Sequence, residues 1–115
     1  MDMKAALIRS QAGMRLIAQL HIYNSGDFDR LRTFIADSYT EALLEDQSVD
    51  ERLAYFQQLR ETHGKLRIFR IVGHDEHRVI VLLAGQKDAT YCGLDISVQD
   101  DHPHQITEFL EIPTE

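Results

Sequence analysis

Chemistry in this 115-residue chain would have to come from six histidines, one cysteine and a few charged or phenolic side chains set among apolar ones. His74 and His77 lie in one turn, Gly73-His74-Asp75-Glu76-His77. His102 and His104 flank another, Asp100-Asp101-His102-Pro103. With Asp75, Glu76, Asp100 and Asp101 they offer the nitrogen and oxygen donors a metal ion takes. If both turns fall at one end of a sheet, two strand spacings separate them by ~10 Å, and solvated turns account for them without a metal. Cys92 alternates with Leu94, Ile96 and Val98, where a thiol is an inert small hydrophobe unless a basic neighbour lowers its pKa. Asp27 stands before a short apolar stripe, the place of a helix cap. The chain has no Ser-His-Asp arrangement, glycine-rich phosphate loop or CxxC pair, so no cofactor is expected.

Arg70 and Glu108 are the more informative pair. Strict alternation puts each on an otherwise apolar strand face, and a buried charge is costly unless it is paired, hydrogen-bonded or lining a pocket. The expected ligand-binding residues are therefore Arg70 and Glu108, with Tyr23 and Tyr55 as polar handles contributed by helices.

The strands that would position these charges are runs of β-branched and aromatic residues at about 66–72, 78–84, 90–98 and 105–112. Gly85-Gln86-Lys87-Asp88 and the two histidine-bearing turns are of hairpin length, so the strands should pair consecutively as an antiparallel meander. In the third run Cys92, Leu94, Ile96 and Val98 share an apolar face. In the fourth, alternation sets Ile106, Glu108, Leu110 and Ile112 against Thr107, Phe109 and Glu111. The second run is apolar on both faces, as an interior strand would be.

The cover for the apolar face must come from the first 64 residues. A first helix is expected over about 4–23, with Leu16, Ile17, Leu20 and Tyr23 at helical spacing. Asn24-Ser25-Gly26 breaks it, and a second helix over about 27–37 carries Phe28, Leu31, Phe34 and Ile35. Residues 38–47 read as a loop with one helical turn, with capping-box spacing from Ser38 to Glu41. A third helix over about 49–63 opens on a Ser48/Glu51 capping box, carries Val49, Leu53, Phe56 and Leu59, and closes on Gly64. Leu53 and Phe56 should meet Leu94 and Ile96 at the helix-sheet junction. The order of elements is α+β: three N-terminal helices on a four-stranded antiparallel meander, in one domain spanning 1–115.

Composition sets outer bounds. The chain is 43% hydrophobic and 27% charged with a net charge of −7, which argues against a nucleic-acid surface. One cysteine excludes an intrachain disulfide, Arg9 and Arg15 interrupt any signal-like apolar run near Met1, and no run approaches the ~20 residues of a membrane span. The expectation is a cytoplasmic protein that engages neither nucleic acid nor membrane.

Three segments carry a family resemblance: Tyr23-Asn24-Ser25-Gly26-Asp27 opening a short helix, the Ser48-to-Gly64 helix leading into a strand, and Asp101-His102-Pro103-His104-Gln105-Ile106 entering the last strand. Together they resemble the nuclear transport factor 2-like (SnoaL-like, cystatin-like fold) superfamily, in particular small bacterial domains found alone or ahead of serine hydrolases and peptidases. The resemblance implies a curved sheet wrapped around helices as a cone, commonly a homodimer, with a pocket that binds ligands in some members and does isomerase, cyclase or dehydratase chemistry in others. Residues 38–47 are too short for the additional strands of fuller members, so a shallow cone is expected. The reading that follows is a binding or interaction module, dimeric through the outer sheet face bearing Phe69, Tyr91 and Phe109, with a small apolar ligand. The alternatives are an isomerase or cyclase with Glu108 as general base, and an accessory domain of a neighbouring hydrolase.

Overall fold

The computed structural model describes residues 3–87 and 90–112. Met1 and Asp2, residues 88–89, which include the Asp88 of the expected Gly85-Gln86-Lys87-Asp88 turn, and residues 113–115 lie outside the described residues. Among the described residues five helices precede four strands: α1 Met3–Leu7, α2 Gln11–Ser25, α3 Phe28–Ser38, α4 Glu41–Asp46, α5 Val49–His63, β1 Leu66–His74, β2 Arg78–Gly85, β3 Tyr91–Val98 and β4 Ile106–Ile112. The fold is α+β, as the order of periodicities predicts.

Two helices beyond the expected three have local causes. The expected first helix divides at Ile8–Ser10, where the Ser10 hydroxyl accepts from the Gly13 N–H at 2.9 Å and caps α2 afresh. α1 then folds back onto the first turn of α2, so closely that a β-carbon at Gly13 would stand 1.9 Å from the Leu7 carbonyl oxygen. The segment 38–47 holds α4, capped by Thr40, whose hydroxyl accepts from the Leu43 N–H at 3.3 Å, rather than by Ser38. The other caps are as the sequence indicates. Gly26 closes α2 at φ 79°, Asp27 accepts from the Arg30 N–H to open α3, and the reciprocal Ser48/Glu51 box opens α5 with Gly64 closing it.

The sheet order is β1-β2-β3-β4, antiparallel throughout. Val79, Val81, Leu83, Cys92, Leu94, Ile96 and Val98 form its inner face. They are buried with Leu16, Leu31, Ile35, Leu53, Phe56 and Leu59 from the helices in one core, and this is the expected junction.

The outer strands do not keep strict alternation. On β4, Val98 pairs with Ile106 but Ser97 pairs with Glu108, so Thr107 is an extra residue that reverses the facing of everything after it. Phe109 and Glu111 then lie opposite Ile96 and Leu94 on the inner side, while Glu108, Leu110 and Ile112 turn outward. On β1, Ile68 pairs with Leu83 but Arg70 with Leu82 and Ile71 with Val81, and a second shift precedes Gly73. Ile68 and Ile71 both face the core, and Arg70 faces out. The alternation-based placement of Arg70 and Glu108 on the core face is therefore corrected, as is that of Phe109 on the outer one.

Candidate functional site

Where α5 passes the inner side of β4 it leaves a cavity of about 180 Å³, lined by Gln47, Arg52, Tyr55, Phe56, Phe109 and Glu111. This is the space between the last helix and the sheet where a ligand pocket is expected, but its charged residues are different ones. Helical spacing presents Arg52, Tyr55 and Phe56 on neighbouring positions of α5, and the Thr107 bulge turns Phe109 and Glu111 toward them.

Arg52 is the floor of the site and is only 5% exposed. Its Nη2 donates to the Leu43 carbonyl at 2.8 Å and its Nε to the Gln47 carbonyl at 3.0 Å, which ties off the end of α4. The guanidinium also lies over the Tyr39 ring, 5.2 Å from its centroid. Tyr39 is itself held: 1% exposed, its hydroxyl donates to Gln19 Oε1 at 2.6 Å. Burial raises the Tyr39 pKa above the ordinary phenol value, against the lowering effects of Arg52 and the Gln19 hydrogen bond. Phe109 packs between the Tyr39 and Phe56 rings, with centroids 6.2 and 5.5 Å away. At the mouth, the Tyr55 hydroxyl donates to the exposed Glu111 carboxylate.

Of the four residues expected to line a pocket, Tyr55 is there. Tyr23 is buried in the core, where its hydroxyl donates to the carbonyl of Gly64 at 2.9 Å and secures the end of α5. Burial raises its pKa too, with Arg60 opposing. Arg70 and Glu108 are exposed on the outer face, opposite Leu82 and Ser97, and do not share the cavity. Arg52, Tyr39, Phe109 and Glu111 escaped sequence reasoning. Arg52 had a signal, since it lies three residues after Val49 and one before Leu53, on the buried stripe of α5.

The histidines also come out differently. His77 directly precedes β2 and its carbonyl accepts from the Val98 N–H at the end of β3, so the His77 and His104 rings stack 6.1 Å apart, with His102 6.2 Å beyond, instead of standing two strand spacings apart. His74 Nε2 is hydrogen-bonded to Ser10 Oγ at 2.7 Å, at the start of α2. Among the described residues no group of three or more His, Cys, Asp or Glu side chains is placed to hold a metal ion. Cys92 is buried, and burial pushes its thiol pKa up. A wider, more open depression of about 480 Å³ lies between α1, α2 and β1, lined by no Phe or Tyr but by His21 among apolar and basic side chains. No helix among the described residues is long and apolar enough to cross a membrane.

Comparison of the chain with protein-family models, curated proteins and solved structures returns no match.

Proposed function

We propose that this chain is a small-ligand-binding module of the nuclear transport factor 2-like type, with its site in the cavity between α5 and β4. The observation that carries the reading is a buried guanidinium, Arg52, in a cavity walled by Tyr55, Phe56 and Phe109. Apolar walls with a few fixed polar groups are the usual make-up of a small-molecule site. Helices preceding a four-stranded meander, with the cavity under the last helix, support the family assignment. A fragment screen by NMR tests the site. Hits should shift the Phe56 and Phe109 ring signals, and should bind Arg70→Met and Glu108→Gln variants as tightly as the unaltered protein. A screen whose hits map to the depression beside α1, or that yields none, rejects it.

A second copy of the chain is the proposed partner of the outer sheet face. Phe69, Val72, Tyr91, Leu110 and Ile112 are all between 38% and 63% exposed, and Phe69 and Tyr91 pack 4.9 Å apart. Arg67 and Arg70 lie toward one corner of this face and Glu108 toward the opposite one. A two-fold pairing of the sheets at near right angles brings those opposite charges together, with the Phe69–Tyr91 pair beside Arg67 at one corner. Light scattering should give twice the chain mass at micromolar concentrations, and Phe69→Lys should halve it. A monomer throughout sinks the dimer without touching the cavity.

A further inference from the structure

We infer that the cavity takes a small zwitterion, a free amino acid or a betaine of similar size, with its carboxylate on Arg52 and its ammonium group at Glu111. The inference rests on the reading of this cavity as the ligand site and names the ligand class. Two of the three guanidinium nitrogens of Arg52 are spent on the Leu43 and Gln47 carbonyls. Nη1 makes no hydrogen bond to any described residue. No described carboxylate forms an ion pair with Arg52, so a buried cation has carbonyl oxygens and an aromatic face around it but no countercharge. A charge so placed gains strongly from an anion that reaches its free donor.

Glu111 lines the same cavity and is not paired with Arg52 either. The Tyr55 hydroxyl holds it instead. One cation at the floor and one anion at the mouth are each anchored by a different group and kept apart. A simple anion would satisfy Arg52 but meet repulsion from Glu111, and a simple cation would meet the reverse. A molecule bearing both charges satisfies both ends. The rings of Tyr55, Phe56 and Phe109 line the same cavity, suited to an aliphatic side chain and attractive to an ammonium group over a ring face.

Size and long-range charge point the same way. At about 180 Å³ the cavity is below the roughly 300–1,000 Å³ of sites for drug-sized ligands, a size that suits a molecule of a few heavy atoms. The net charge of −7 repels free anions at a distance but leaves a neutral zwitterion unopposed.

The test is an NMR titration of the full chain with glycine, alanine, valine and proline, and with two truncated forms of valine: 3-methylbutanoate, which lacks the amine, and 2-methylpropylamine, which lacks the carboxylate. At least one amino acid should shift the Phe56 and Phe109 signals. Both truncated forms should bind about tenfold or more weakly than valine, each having lost a charge-assisted contact. Glu111→Gln, an exposed substitution that leaves the core untouched, should erase the advantage of valine over 3-methylbutanoate. If either truncated form binds as tightly as valine, the zwitterion inference is overturned while the cavity remains a ligand site. If no amino acid shifts the cavity signals, the inference is overturned as well, and the fragment screen decides the cavity separately.

Discussion

At the residue scale, a single extra residue decides what two aromatic and acidic side chains do. Thr107 is bulged, so Phe109 packs on Phe56 and Tyr39 while Leu110 stands 52% exposed. Phe109→Ala should therefore cost ~2–4 kcal/mol in urea melts, toward the lower end because the ring is not fully enclosed, and Leu110→Ala should cost under ~0.5 kcal/mol in the monomer. The opposite ranking would mean that β4 keeps strict alternation. Cys92 offers a second check. Burial raises its pKa, so less thiolate is present near neutral pH than in an exposed cysteine. Iodoacetamide should alkylate it slowly in the native protein and quickly in denaturant, and equal rates would place the thiol outside the core.

At the element scale, the helical layer depends on a close approach rather than on propensity. α1 reaches its place because Gly13 leaves room for the Leu7 carbonyl, and Leu7 is itself fully buried. In Gly13→Ala the gain in helix propensity, ~1 kcal/mol, is opposed by a backbone clash that cannot be relieved by moving a flexible side chain. The expected outcome is a net loss of ~1–3 kcal/mol, with hydrogen exchange accelerated in α1 first. A stabilised variant would show that α1 does not lie on α2. The helices were legible where local chemistry ends them: the Ser48/Glu51 box lies in the first turn of α5, and the Gly64 N–H closes on the Arg60 carbonyl in the last. The division at Ser10 was not. A continuous helix from α1 into α2 is locally favourable, and the break is held by contacts 64 or 65 residues away, through His74 and Glu76.

At the scale of the whole molecule, two buried phenols link stability to alkaline pH. Burial raises the pKa of Tyr23 and Tyr39 above the value of an unfolded tyrosine, near 10. The folded state then holds protons that the unfolded state releases. The stability this represents is fully present below about pH 10 and is lost as pH rises through the folded values, at up to about 1.4 kcal/mol per pH unit for each phenol. Unfolding free energy should fall measurably between roughly pH 10 and 11, and Tyr39→Phe should flatten that fall. A pH-independent stability across this window would mean that the phenols are solvated.

The sequence by itself determined the α+β order, the meander, the apolar face of β3 and four of the helix ends, because each depends on neighbours within a few positions or on a period that the residues themselves carry. What only the tertiary structure decided is which way the edge strands face and therefore which charges meet the cavity. Facing is set by register, and register belongs to a pair of strands: one bulge on β1 removes Arg70 from the inner side, and one on β4 exchanges Glu108 for Glu111. The burial of Arg52 is of the same kind, since its cost is offset by carbonyls at the end of α4 and by the ring of Tyr39, groups that come together only when the helices pack.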